Sequence, residues 1–565
     1  MSALKSVNTR PNPAVVGQRA ARQLPRLALY LLCLAYIIPG LLGRDPWKAA
    51  EISAVGHMLA LVRGETAWLS PALVGFPSDG SVLPYGLGAL SIQWLEPLGG
   101  EAFAARLPFA FLLLATLTLT WYATYYLARS EAAQPLAYAF GGEAHPIDYA
   151  RAIADGSILA LMASLGLLQL GHETTPELMQ MFAIALLLLS LAISPYRPMA
   201  ARWAVVAAPI ILAASGAAST ALLLTLGCAV IAWKSSAQPL RQLLPWVGVA
   251  ALASAGTATL CGAWITRLAL TPSTMLLFPK LLVWFAWPAW PLAAWTLWRW
   301  RLQLNRRHIA LPLMVVLIML GISLGMGNSD RALMLALPGM AVLAAFALPT
   351  LQRSFSAAID WFSVFFFSFC ALTIWVIYIA IQTGIPKQPA ANVARLAPEF
   401  VSRFDPWALI WAALATVTWL WLVRWRTGRH QEALWKSLVL PASGVALSWL
   451  LLMTLWLPLL DHARSYRMLI ERVAQHIPAH ACVVALDLTR GQTAALQFFG
   501  PDWHVVAHSS LEAAQCPWRI QSVSMRHALA AAPTGWRFVH RERRPTDDEE
   551  SLAIYRHATT THPTR

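Results

Sequence analysis

Apolar residues in this chain come in long runs, separated by short polar connections rich in arginine. A helix that crosses a bilayer needs ~20 mostly apolar residues. By that measure the pattern predicts about 13 spans: 27–43, 104–127, 152–171, 177–194, 202–217, 219–233, 243–265, 275–298, 309–326, 331–349, 361–383, 406–424 and 437–459. The fifth and sixth are divided only by "SGAAS"; counted as one, they would reverse the topology of everything after them. Two stretches within 44–103, "EISAVGHMLALVRGETAWL" and "GLGALSIQWLEPL", are amphipathic and too broken to cross. They are expected to lie as helices in the membrane interface. After residue 459 the pattern changes. "YRMLIERVAQHI" and "GQTAALQFF" have helical periodicity, and "ACVVALDL", "WHVVAHS", "WRFVHRERR" and "LAIYRHA" read as strands. The tail is therefore expected to be a small α/β domain of about 100 residues.

Charge orients this pattern. Residues 1–26 carry Arg10, Arg19, Arg22 and Arg26 and read as a cytoplasmic tail. With the N-terminus inside, "SPYRPMAAR", "RWRLQLNRRH" and "RWRTGRHQEALWK" fall on the cytoplasmic side, as the positive-inside rule requires. An odd number of spans then makes 44–103 the first periplasmic loop and 460–565 a periplasmic domain. The membrane domain is 27–459.

Composition excludes a large soluble protein. Of 565 residues, 58% are hydrophobic and 12% charged, with a mean hydropathy of +0.55; soluble domains carry about 25% charged residues. The net charge of +15 sits mostly in clusters between apolar runs. It reads as topology signal and membrane-surface contact, not as a nucleic-acid footprint. No cleavable signal peptide is evident. Cys33, Cys228, Cys261 and Cys370 lie in apolar runs, whereas Cys482 and Cys516 lie in the polar tail and can pair in an oxidising compartment. Walker A, GxGxxG, HExxH and CxxC motifs are all missing, so an ATP-driven pump would lack its motor.

Four places carry candidate chemistry. Asp45, followed by Pro46 and Glu51, sits at the mouth of the first span. It fits a helix N-cap, and equally a general base on a hydroxyl or a ligand for a cation or sugar. "LGHETTPELMQMF" brings His172, Glu173 and Glu177 to the same side. Glu177 suits the start of its helix, but two acids from different loops can also do acid/base work or hold a metal. His172 alone reads as structural or interfacial. Asp79 lies in "FPSDGSVLPYG", either a plain turn or a loop that closes over a substrate. Lys280, Arg267, Arg331, Lys387 and Arg395 are basic residues in or beside the outer cavity. Lys280 is close enough to the membrane surface to snorkel; an anionic lipid phosphate would also serve it.

These segments, in this order, resemble glycosyltransferases of the C-type membrane fold, in particular bacterial aminoarabinose–lipid A transferases and their protein-mannosyltransferase relatives. "DPWKAAEIS" matches the acidic motif of the family's first outer loop at Asp45, Ala50, Glu51, Ile52 and Ser53. The following text is similar to its two juxtamembrane helices and to the Arg that opens span two, here Arg106. "TTPELMQMFAIALLLL" places Glu177 where the family has a second acid, "RALMLALPGMAVLAA" resembles a late span, and "SYR" at 465–467 is similar to the join to the outer domain. Pro46 stands where an acid usually follows the first Asp, and Leu83 where the aminoarabinose enzymes carry a Lys.

The resemblance implies a polyprenyl-phosphate sugar donor, used at the outer face of a bacterial inner membrane, and a lipid A, glycan or protein acceptor. It implies Asp45 as base, Glu177 as a second acid, and Lys280 and Arg331 on phosphate. Asp79, Glu51 and His172 are further candidates for substrate contact. No nucleotide and no obligatory metal are implied, though a divalent cation between the acids is compatible with it. Two alternatives share the same spans and charges: a transporter or flippase of lipid-linked sugars, which broken helices or inverted repeats would favour, and a non-catalytic member of the family.

Overall fold

The computed structural model describes residues 12–235, 237–264, 269–428, 433–524, 534–544, 546–547 and 549–558. Arg10 and Arg267 lie outside the described residues. Seven described helices are long and apolar enough to cross a membrane: Val82–Ala128, Pro176–Ile193, Gln238–Leu260, Arg307–Gly325, Arg353–Thr383, Pro406–Thr427 and Lys436–Leu455. The protein is therefore a multi-pass membrane protein. An eighth crossing is formed only if Pro272–Phe285 and Ala289–Arg299, bent by 99°, are taken together.

The structure does not support thirteen simple spans, and each shortfall has a local cause. The run 27–43 is helical only over Arg26–Ile37, because Pro39 and Gly40 (φ +80°) turn the chain. The run 152–171 breaks after Ala163, where the chain turns into a single helical turn at Leu167–Leu170. The pair around "SGAAS" is two helices, Pro198–Ala214 and Ala218–Lys234, with Gly216 at φ +78° between them. Seventeen residues make a helix of ~25 Å, short of the ~30 Å hydrocarbon core. The run 331–349 is split into Asp330–Met334 and Leu337–Ala347.

The first loop also differs from expectation. Helix Ala50–Val62 does not present one apolar face; ten of its thirteen residues are buried. It is held between helix Val82–Ala128 and helix Arg490–Phe499 of the C-terminal region. Gly56 permits this, since a Cβ there would lie 2.5 Å from Cβ of Ala494. The second stretch is amphipathic as expected: Gly88, Ala89 and Ile92 are buried, while Leu90, Trp94 and Leu98 are exposed. It turns at Gly100 (φ +80°) directly into the next apolar helix.

The C-terminal region contains a five-stranded sheet: β1 (Cys482–Leu486), β2 (His504–Ala507), β3 (Trp518–Ser524), β4 (Trp536–Arg543) and β5 (Glu550–His557). The order is β2-β1-β3-β5-β4, with β1 parallel to β2 and β3, and β5 antiparallel to β3 and β4. The sequence reading lacked β3, which is the central strand. Helix Arg490–Phe499 starts at a capping box between Thr489 and Gln492. Cys482 and Cys516 form a disulfide. Ile52 and Leu73 from the first loop share a buried core with Leu469, Ile470, Val483 and Ile520 of this region. Loop and domain are thus packed as one body over one end of the bundle.

Candidate active site at the junction of bundle and domain

The buried centre of this junction is a carboxylate held by two guanidinium groups. Arg44 Nη2 donates to Glu51 Oε1 at 2.7 Å, and Arg106 Nε donates to the same oxygen at 3.3 Å. The other Glu51 oxygen accepts from the Trp47 backbone N–H at 3.1 Å. Glu51 is 1% exposed, so it does not face a substrate. Charges this deep persist only when paired, and this cluster orders the chain around it. Arg106 Nη1 donates to the carbonyl of Arg44 at 3.1 Å and Nη2 to that of Asp45 at 3.4 Å. Arg44 Nη2 also reaches the carbonyl of His172 at 2.7 Å. The two acid-bearing loops are therefore tied together by one arginine.

Asp45 projects outward from this strut. Its carboxylate receives two bonds from the Arg467 guanidinium, Nε to Oδ2 at 2.9 Å among them. Its backbone N–H donates to Asp461 Oδ2 at 3.4 Å, and Asp461 Oδ1 accepts from Trp47 Nε1 at 2.8 Å. Burial, and next the nearby charge of Asp45, push the Asp461 carboxyl up to about 7. Asp45 is not an N-cap of the following helix, which begins at Ala50 after Ala49 in a positive-φ conformation.

The second loop lies beyond Trp47. Arg464, stacked on that indole at 5.0 Å, donates to Gln169 Oε1 at 2.6 Å. Gln169 donates to Glu173 Oε1 at 2.6 Å, and Glu173 Oε2 pairs closely with Arg331. Arg331 also donates to Thr175 Oγ1 at 3.2 Å and approaches Glu177 at 3.7 Å. Glu177 is in the first turn of Pro176–Ile193, as expected, and its Oε2 is a buried oxygen without a hydrogen-bond partner among the described residues. One polar chain thus runs from Arg467 and Asp45 to Arg331 and Glu177.

The remaining candidates fall differently. His172 is not free to hold a ligand. Its Nδ1 and Nε2 are each 2.7 Å from a carbonyl, of Leu168 and Tyr36, and its ring stacks on Trp449 at 4.4 Å. Asp79 accepts from the Tyr85 hydroxyl at 2.8 Å and the Ser81 N–H at 3.0 Å, with Arg490 at 3.9 Å. Its loop is tied towards Glu177, because Ser81 Oγ and Gln180 Nε2 share the carbonyl of Ser215. Lys280 is exposed on the first half of the bent pair and is joined to this network by no contact among the described residues; Lys387 and Arg395 are exposed on helix Lys387–Leu396. A small cavity, about large enough for one water, lies beside the Arg106 end of the network, lined by Ile37, Leu41, Arg106, Phe109, His172 and Leu178.

Sequence reasoning missed Asp461, Arg464 and Arg467. The signal was present: "DHARSYR" packs an acid and three basic side chains directly behind the last apolar run. Chemically, the site offers carboxylates at two positions with flanking guanidinium groups.

No family model and no curated protein matches this sequence. Solved structures do. The crystal structure of ArnT from Cupriavidus metallidurans in the apo state superposes with a TM-score of 0.60 at 14% identity, covering 94% of this chain and 97% of that one. The structure of the same protein bound to undecaprenyl phosphate gives 0.58 at 14% identity, covering 95% and 98%. The match extends through both bundle and tail, and the chain has an ArnT-like fold: a polytopic helical membrane body with a small C-terminal sheet domain.

Proposed function

We propose that this protein is a glycosyltransferase that moves a sugar from a polyprenyl-phosphate donor to a hydroxyl of a lipid, glycan or protein acceptor, at the outer face of a bacterial inner membrane. The observation that carries this reading is the polar chain from Asp45 to Glu177, which joins acids and guanidinium groups of the first loop, the bundle and the C-terminal region. It is supported by the fold shared with ArnT, one structure of which holds undecaprenyl phosphate. The disulfide in the C-terminal domain supports an oxidising, outer location for that end.

In this reading the acceptor oxygen attacks the anomeric carbon, the bond from that carbon to phosphate breaks, and polyprenyl phosphate leaves. Asp45 takes the acceptor proton as the new bond forms. Asp461 accepts from the Asp45 backbone N–H and from Trp47 Nε1 and so positions the segment that carries the base. Glu177, which Arg331 approaches at 3.7 Å, orients the acceptor, with Asp79 on the adjoining loop. Arg331 serves the phosphate, where charge develops as the bond breaks; Lys280, which stands apart from this network, is not assigned to it. Glu51 and His172 are positioning residues rather than substrate ligands. The transporter alternative shares the interrupted helices of both halves; the fold shared with ArnT favours the transferase.

The test uses the protein in proteoliposomes with a labelled polyprenyl-phosphate sugar. Release of free polyprenyl phosphate together with labelled acceptor is expected. Transbilayer movement of the intact donor without release would overturn the reading.

A further inference from the structure

Three side chains of the C-terminal domain converge away from the polar chain described above. His476 follows helix Arg467–Ala474, and His540 and Glu542 stand two residues apart on β4, the edge strand of the sheet. Both imidazoles address one oxygen: His476 Nε2 lies 3.1 Å and His540 Nε2 3.2 Å from Glu542 Oε1. The two rings stack at 4.5 Å with 25° between their planes. One potential ligand atom from each of the three residues lies within 4.8 Å of the other two.

We propose that His476, His540 and Glu542 form a zinc-class divalent metal site that fastens the helix Arg467–Ala474 to the edge of the sheet. Ligands bound at about 2.0–2.2 Å in a tetrahedron stand roughly 3.4 Å apart, so the two nitrogen–oxygen separations need shift by only a few tenths of an ångström. Two imidazoles and one carboxylate suit zinc, or another late first-row metal, and not the oxygen-seeking calcium or magnesium. The group has three protein ligands and an exposed member, His540, which leaves the fourth position to water.

The placement has a consequence for the candidate active site. Arg467, which grips Asp45, opens the short helix that His476 follows by two residues. β4 would otherwise be an edge strand tied to the sheet along one side only. A metal bridging helix and strand would restrain both.

The experiment is zinc titration, by calorimetry, of the full-length protein in detergent, free of any histidine tag and stripped with chelator, alongside H540A and E542Q. One zinc per chain is expected, with affinity falling by more than the roughly 10–100-fold typical of a lost outer-shell partner in both variants. Cobalt loading of the wild type gives a tetrahedral visible spectrum that both variants lack. Equal zinc affinity in wild type and both variants overturns the proposal, as does the absence of any stoichiometric binding. H476Q is the replacement if either variant fails to fold in the chelated state.

Discussion

At the level of single residues, the acids around Asp45 divide into a strut and a reactive group, and substitution separates them. Glu51 is enclosed by Arg44 and Arg106. Glu51→Ala leaves two buried guanidinium groups without their anion, a loss of about 3–5 kcal/mol. It is expected to lower the thermal unfolding midpoint of the solubilised protein sharply, whereas Glu177→Gln should leave the midpoint unchanged and reduce turnover. Equal midpoints for Glu51→Ala and wild type would remove Glu51 from the structural role. Asp461 gives a pH dependence. Burial pushes its carboxyl up to about 7, above the ordinary 3.8, so between these values the native state holds a proton that the unfolded chain has released. That stabilisation is fully present below about pH 4 and is lost as pH rises through about 7. The difference in stability between wild type and Asp461→Asn should follow this course; a flat difference from pH 4 to pH 8 would contradict it. From sequence, Asp45 and Glu177 were legible as acids on the same end of the bundle. That Glu51 and His172 are fully occupied was not, because Arg106 and Tyr36, which help to occupy them, come from other segments.

At the level of elements, sequence periodicity worked where one covering surface decides the pattern and failed where two do. The stretch around Leu90, Trp94 and Leu98 faces outward on one side and was read correctly as amphipathic. Ala50–Val62 was not, since its second face is covered by helix Arg490–Phe499, more than 400 residues later in the chain. β3 escaped because the apolar–polar alternation of "WRIQSVS" slips at Ser522. The contact between these two helices is testable at Gly56. Gly56→Val forces a methyl group against Ala494; overpacking of this kind costs about 1–3 kcal/mol. The expected result is faster proteolytic release of the C-terminal domain and lower activity; unchanged proteolysis would show that the interface yields. Removing the disulfide with Cys482→Ser should cost the domain about 2–4 kcal/mol, read as lower resistance to denaturant.

At the level of the whole molecule, the apolar runs announced a polytopic membrane protein, and the change of pattern after residue 459 announced the sheet domain. The span count was less legible. Length and hydropathy cannot separate a straight crossing from two short helices meeting at a bend, as at Phe285–Ala289. The proposed topology places the N-terminus in the cytoplasm and residues 460–565 outside. Alkaline phosphatase fused after the last residue should be active, and a fusion within the connection 299–308 inactive; the reverse pair would invert the arrangement. The most direct measurement for the proposed chemistry is sugar transfer by Asp45→Asn, assayed with a labelled polyprenyl-phosphate sugar in proteoliposomes. Removing a general base costs roughly 10²–10⁴-fold in rate. A loss of that size, in a variant whose unfolding midpoint matches the wild type, is the expected result. Full transfer activity in Asp45→Asn would contradict the assignment of Asp45 as the base.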